Sequence, residues 1–402
     1  MVIKADIEPV DRGEMVSLME PLLLGPRHRE PLTDLALELT QKSAGFRASL
    51  PASIMTSLAH LVRSMNCYYS NLIEGHNTHP VDIEPALKNE FSGDARNRDL
   101  QREAKAHIAV QQWIDGGGLQ GRRALTAGGI CEIHRRFCEL LPEDLLWVED
   151  TVAKNRTRVV AGELRRQDVQ VGQHIAISAG ALPRFLQRFE EVYVRVGKME
   201  SVISMAAAHH RMVWIHPFLD GNGRVARLMS HAILLESLDT GAVWSIARGL
   251  ARNVQQYKNH LAQCDQTRRN DLDGRGTLSE EALAAFTRFF LKACIDQVNF
   301  MQELIQPDRL RIRILMWAEE ESRRGALPPR AGSILEAVLY RGELPRGDAD
   351  AVLGTGERQA RRIVSALVEK GVLASETSRS PLRLVFPAAL AGRWMPGLFP
   401  DQ

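Results

Sequence analysis

Residues 202–235 read VISMAAAHHRMVWIHPFLDGNGRVARLMSHAILL, and the fold class follows from them. Val202, Ala206, His209 and Val213 fall at steps of four, three and four, one stripe of a helix. That helix is predicted to stop near Pro217, because proline disfavours helical geometry in the residue before it. A polar, glycine-rich turn follows, and a new helix begins around Arg224 with Val225, Leu228, Ala232 and Leu235 on one apolar face. Residues 216–223 are therefore a helix–loop–helix junction. Helical periodicity extends outward over about residues 31–320, without a fixed-period repeat or low-complexity tract, so the main body is predicted to be largely α.

Composition sets the outer limits. At 402 residues, 45% hydrophobic and 25% charged, the chain has the material for two domains with accessory helices. Fifty-one basic against forty-nine acidic side chains leave +2, which argues against a chain-wide field for nucleic acid or membrane and leaves only local patches. The opening residues carry acids where a secretory leader needs a basic stub, and no later run approaches eighteen uninterrupted apolar residues. A cytoplasmic protein without membrane contact is the expectation. Five cysteines, at 67, 131, 138, 264 and 294, are odd in number and lack a CxxC pair, so they read as reduced thiols. Cys131, His134 and Cys138 share a helical face, but a structural zinc site needs a fourth ligand and core packing is the better reading.

Two further regions depart from the helical texture. Val159-Val160, the Gly162 turn signal and the alternation Val169-Gln-Val171 predict a short β-hairpin within residues 157–177. After the Pro328-Pro329 pair come a short amphipathic helix over 333–340, a second over 348–353, the tight turn Gly354-Thr355-Gly356, a third helix over 357–370 and a strand at 382–386. That order resembles a winged helix-turn-helix, with Arg358, Arg361 and Arg362 on its third helix and Arg379 and Arg383 on its wing.

The chemistry concentrates in His216-Pro-Phe-Leu-Asp-Gly-Asn-Gly-Arg-Val-Ala-Arg227. Gly221, Asn222 and Gly223 precede a helix, where unpaired N–H groups and the positive dipole end attract an anion and glycine permits close approach. Arg224 and Arg227 emerge three apart on one side of the first turn and can contact phosphate oxygens. Asp220 offers a hard oxygen suited to Mg²⁺ on phosphates. His216 has an ordinary pKa near 6.5 and can accept a proton. Each feature alone is more often structural; their joint occurrence within twelve residues carries the functional reading. No GxxxxGK[ST] loop is present, so a nucleotide would be held by this turn.

These twelve residues match the HxFx[DE]GNGRxxR signature, and the chain resembles the Fic family, whose members typically transfer AMP from ATP to a protein hydroxyl. The resemblance runs from about residue 30 to 300, through Val171-Gly-Gln-His174, the Tyr257 region and Gly276-Thr-Leu-Ser-Glu-Glu281. Related Doc-type kinases carry lysine where this chain has Gly223, which favours nucleotidyl transfer. The resemblance implies a mainly α fold, a Fic-type helical core with a β-hairpin flap, plus the C-terminal winged helix-turn-helix domain. It divides the chain into 1–110, an N-terminal helical region with an inhibitory helix; 111–305, the catalytic core; 306–330, a connecting helix and linker; and 331–402, the winged-helix-like domain.

By the same resemblance His216 is the general base, Asp220 the Mg²⁺ ligand, Gly221, Asn222 and Gly223 the phosphate cradle, and Arg224 and Arg227 the partners of the outer phosphates. Val171, Gly172 and His174 contact nucleotide or metal, and Tyr257 either flanks the base or packs in the core. The flap aligns the target as an added strand, although Ile175-Ala-Ile177 stands where the family has prolines. Ser70-Asn-Leu-Ile-Glu74-Gly75 matches the family's inhibitory [ST]xxxE[GN] motif, in which Glu74 reaches Arg227 and takes the space of the γ-phosphate. The implied partners are ATP and a target protein, the chain itself among the candidates; duplex DNA at the C-terminal domain and a second copy of the chain in a homodimer complete the set. Two alternatives accompany AMP transfer: removal of AMP from a modified protein, and a nucleotide-sensing DNA-binding regulator.

Overall fold

In the computed structural model, which describes residues 2–3, 8–120, 122–150 and 154–400, the stripe read above forms helix Lys198–Ile215 and its successor forms helix Asn222–Leu238. The opening residues read for a leader include 1 and 4–7, which lie outside the described residues. No helix of the described residues is long and apolar enough to cross a membrane. The chain forms two compact units, one from Met1–Ser43, Asn66–Thr240 and Ser245–Asp296, the other from Ala44–Met65, Gly241–Trp244 and Gln297–Gln402.

In the first unit the helices Lys198–Ile215 and Asn222–Leu238 pack against each other. Both are buried almost all round, Val202, Ala206 and Met212 on one and Val225, Leu228 and Met229 on the other, which marks them as the core pair. Helices Ala95–Asp115, Ala127–Glu139 and Leu182–Tyr193 cover them. The N-terminal segment straps across this bundle: the Tyr193 hydroxyl donates to the Leu22 carbonyl at 2.7 Å, the Leu278 amide to the Glu20 carbonyl at 2.9 Å, and the Gly25 amide to Glu280 Oε1 at 2.7 Å.

Where the sequence predicted one hairpin within 157–177, the structure has one there and a second that begins earlier, at Trp147. Trp147–Glu149 pairs with Arg156–Arg158, and Val169–Val171 pairs with His174–Ile175, with Val2–Ile3 added along the outer side of Val169–Val171. Val159-Val160 are outside both. The first hairpin escaped sequence reading because Arg156-Thr-Arg158 lacks the apolar alternation that marks a half-buried strand.

In the second unit, helices Ala331–Arg341, Ala349–Leu353 and Glu357–Glu369 enclose Ile334, Leu335, Val338, Leu353, Ile363 and Leu367. Strands Glu343–Leu344, Leu382–Leu384 and Leu373–Ala374 form an antiparallel sheet in that order. Helix–strand–helix–helix–strand–strand is an arrangement like that of a winged helix-turn-helix. The strand Glu343–Leu344 is too short to have a sequence pattern. Trp317 of helix Pro307–Arg323 meets Trp394 edge to face, ring centroids 5.2 Å apart.

Helix Ala127–Glu139 begins with a close approach to the turn before it. Thr126 Oγ1 caps the Gly129 amide at 2.9 Å, and a Cβ on Gly129 would lie 1.7 Å from the Arg123 carbonyl oxygen. Gly129→Ala must therefore displace backbone, an overpacking cost of about 1–3 kcal/mol; thermal unfolding is expected to move down by several degrees, and an unchanged midpoint would refute this reading of the packing.

Candidate active site

The site is built where helix Lys198–Ile215 ends. Its last carbonyls have no partner within the helix, and those of Met212, Val213 and Trp214 meet donors from His216 and His174. His216 is left-handed, φ +52°, with its amide on the Met212 carbonyl at 3.2 Å. His216 Nδ1 lies 3.3 Å from the Val213 carbonyl, His174 Nε2 2.8 Å from that of Trp214, Arg165 Nε donates to that of His216 at 2.8 Å and the Arg165 amide to that of Pro217 at 2.9 Å. A carbonyl only accepts, so the His216 proton sits on Nδ1 and Nε2 is left as a bare acceptor. Burial, then the charge of Arg165, lowers the His216 pKa to about 3, so the imidazole is neutral at pH 7.

The loop beyond His216 is closed by one side chain. Asn222 Oδ1 accepts from the Phe218 amide at 3.0 Å and its Nδ2 donates to the Phe218 carbonyl at 2.8 Å. Its side chain therefore shapes the turn, and only its backbone N–H is available to an anion. The Phe218 ring stacks on His134, centroids 3.9 Å apart, and His134 Nδ1 accepts from the Gly162 amide at 3.0 Å. His134 is thus a buried support of the loop. Gly221 takes φ +80°, which brings the chain into helix Asn222–Leu238, whose first-turn N–H groups have no acceptor within the helix and suit an anion.

Both arginines of that helix are already engaged. Arg227, 2% exposed, donates from Nε to Ser70 Oγ at 2.8 Å and from Nη2 to the Ser70 carbonyl at 3.2 Å and to Glu74 Oε1 at 2.5 Å. Ser70 and Glu74 come from the end of helix Ala52–Ile73, one turn apart, and Gly75 at φ +88° ends it. Burial alone would raise the Glu74 pKa; the Arg227 charge outweighs it and holds the carboxyl below its usual range. Glu74 Oε1 lies 2.6 Å from where a Cβ on Gly223 would stand, so this glycine makes room for the carboxylate. Because Arg227 is enclosed, this is not the exposed pair whose value is only about 0–1 kcal/mol.

Arg224 contacts Glu103 of helix Ala95–Asp115 and donates to Asp220 Oδ2 at 3.0 Å. Burial lowers its pKa to about 10. Glu103 Oε2 is also 2.8 Å from His76 Nδ1. The Asp220 side chain is 54% exposed, and desolvation by the groups packed around it raises its pKa. His216, Asp220, Gly221, Asn222, Gly223, Arg224, Arg227, Ser70 and Glu74 thus form one cluster.

Val171, Gly172 and His174 sit on the second hairpin. Val171 is exposed, Gly172 makes the turn at φ +61°, and His174 binds the Trp214 carbonyl while its Nδ1 is 3.8 Å from Asp265. Ile175, next to them, is 72% exposed. Tyr257 lies deeper: its hydroxyl is 2.7 Å from His209 Nε2, and His209 Nδ1 is 2.8 Å from Ser230 Oγ. Burial pushes the Tyr257 phenol up to about 12. Its ring packs on His209 and Phe286 in the core. Glu103, Arg165 and His134 were not singled out as site residues by sequence, since each works through a partner far along the chain.

A model described as the Fic/DOC family matches residues 124–234. The chain contains a Fic/DOC family domain. The matched residues take in the loop, helix Lys198–Ile215, most of helix Asn222–Leu238 and the second hairpin, while Glu74, Glu103 and Tyr257 lie outside them. The Protein adenylyltransferase Fic of Drosophila erecta is 29% identical over 172 residues, 42% of this chain and 32% of its own length. That of Drosophila grimshawi is 28% identical over the same span. The chain covers about a third of the length of these curated relatives. Among solved structures, Fic-1 (residues 134–508) from Caenorhabditis elegans superposes with a TM-score of 0.52 at 14% identity, covering 70% of this chain and 74% of that one. A Fic domain containing signaling protein from Bacteroides thetaiotaomicron superposes at 0.50 with 20% identity, over 67% of this chain and 96% of that one. These likenesses show a shared fold.

The lowered His216 pKa gives a direct check. Followed by NMR from pH 8 to pH 5, the His216 ring signals are expected to stay those of the neutral Nδ1–H form; a midpoint near the ordinary 6.5 would contradict the enclosure described here.

Proposed function

We propose that this chain is a self-inhibited protein adenylyltransferase that moves AMP from ATP to a Ser, Thr or Tyr hydroxyl of a protein, releasing pyrophosphate. The observation that carries the proposal is a histidine with a bare Nε2 beside a helix N-terminus and two arginines, within a Fic domain whose relatives are named adenylyltransferases. His216 Nε2 takes the proton of the target hydroxyl as its oxygen bonds to the α-phosphorus; the bond from that phosphorus to the bridging oxygen breaks, and the electron pair leaves with pyrophosphate. A triphosphate beside His216 brings negative charge that raises the imidazole's proton affinity from its low resting value. The first-turn amides at Asn222 and Gly223 hold the phosphates, and Arg224 and Arg227 neutralise the outer ones and the leaving group. Positioning by these donors supplies more of the acceleration than the base itself, whose share is about 10²- to 10⁴-fold.

A half-exposed carboxylate is a hard oxygen donor that suits Mg²⁺ held jointly with substrate, and Asp220 would be that ligand. Mg²⁺ would supply charge neutralisation on the bridged phosphates. Val2–Ile3 covers the outer side of Val169–Val171, so the free flap edge is His174–Ile175, with Ile175 exposed, and against it a target segment would lie extended. A protein target, the chain itself among the candidates, follows from that edge.

Self-inhibition follows from Arg227. Its guanidinium is committed to Ser70 and Glu74, and the Glu74 carboxylate stands against Gly223 where the outer phosphates would enter. A triphosphate meets a negative charge and a filled space together, so obstruction rather than pair strength makes the brake. With labelled ATP, Glu74→Gly is expected to raise covalent AMP labelling at least about tenfold over wild type, and His216→Ala in that background to remove it. Equal labelling of wild type and Glu74→Gly would refute the brake; labelling that survives His216→Ala would refute the base.

A further inference from the structure

Arg165 is a guanidinium only 3% exposed, and its side-chain partners are backbone carbonyls. Nε donates to His216 at 2.8 Å, Nη1 to Gln167 at 2.8 Å and Nη2 to Ile177 at 2.6 Å, while the Arg165 amide donates to Pro217 at 2.9 Å. Gln167 and Ile177 bracket the flap hairpin, whose strands are Val169–Val171 and His174–Ile175. One planar fork therefore ties the two ends of the flap to the carbonyl of the proposed base.

Two physical facts make this more than packing. A non-glycine residue in left-handed geometry, as His216 is at φ +52°, persists only where its surroundings hold it. A buried carbonyl left without a donor costs about 1–3 kcal/mol, so without Arg165 the His216 peptide would turn toward another partner and carry the imidazole with it. Burial of a full positive charge is itself unfavourable, and the three carbonyl dipoles together with the nearby charges of Asp168 and Glu14 offset it. A lysine, with a compact ammonium in place of a fork, cannot span all three.

We infer that Arg165 is a positioning residue that fixes His216 against the phosphate-binding helix and sets the register of the flap relative to it. The inference rests on the AMP-transfer reading of the site. A cavity of about 350 Å³ has Arg165 in its lining together with Arg158, Glu163, Arg166 and Leu219, so solvent space adjoins this residue.

The test uses the full chain carrying Glu74→Gly. Adding Arg165→Ala or Arg165→Lys is expected to lower kcat about 10²-fold, the usual cost of a misplaced reacting group, with the KM for ATP within about twofold of the parent. Millimolar guanidinium is expected to restore part of the kcat of the alanine variant and none of that of His216→Ala. An unchanged kcat overturns the inference, as does a proportional loss of kcat and ATP affinity without guanidinium rescue. If the alanine variant does not fold, the lysine variant carries the same kcat-against-KM comparison. If the parent itself transfers no AMP, the functional reading has failed, and Arg165 is judged by ¹⁵N NMR of His216: the Nδ1–H tautomer is expected in the parent and lost in Arg165→Lys, and a tautomer unaffected by the substitution overturns the inference.

Discussion

The site depends on what Arg227 is bonded to. A cation with 2% exposure must have anionic or dipolar partners, since an unpaired buried charge is far costlier than the pair. Ser70 and Glu74 supply them from one helix end. A phosphate group could supply them equally well, with similar geometry and more charge. On the proposed function the two anions compete for the space against Gly223, and the occupant of Arg227 would decide whether a triphosphate is aligned beside His216. Arg224 is in a comparable position: Glu103 and Asp220 hold its two Nη groups, while its buried Nε has no hydrogen-bond partner among the described residues.

The other half of the site is a problem of orphaned carbonyls. Helix Lys198–Ile215 ends at a left-handed histidine, and the groups that satisfy its end come from the flap as much as from the loop: His174 on Trp214, Arg165 on His216 and Pro217. Satisfying the backbone and orienting the imidazole are one operation here. His134 and Asn222 do the same for the turn, one by stacking under Phe218 and one by binding its amide and carbonyl.

Much of this is readable from the residues in order, and the reason is periodicity. The stripes around Val202–Val213 and Val225–Leu235 repeat at helical spacing, and Pro217 and Gly221 mark the turn, so the two core helices and the loop between them were legible within a few residues. The proximity of His216, Asp220 and both arginines is local in sequence. Glu74 became legible only through the resemblance of Ser70–Gly75 to an inhibitory motif, because nothing within that helix reveals Arg227 on its far side. Glu103 reads as one of several charges on a polar helix, and Arg165, within Glu163-Leu-Arg-Arg-Gln-Asp168, reads as a solvated turn; both are buried by partners distant in the chain. Tyr257 shows the reverse, a residue open to two readings until its hydroxyl is found on His209. The hairpin at Trp147–Glu149 and Arg156–Arg158 and the strand Glu343–Leu344 lack any alternation long enough to detect.

The most direct test of the central claim is a pair of crystal structures, wild type and Glu74→Gly, each soaked with ATP and Mg²⁺. In wild type, Arg227 is expected to remain on Glu74 and Ser70 with the outer phosphates displaced; in the variant the γ-phosphate should sit on Arg227 and the α-phosphorus should face His216 Nε2 in line with its leaving oxygen. A wild-type complex with the triphosphate aligned and Glu74 still bonded to Arg227 would contradict the account.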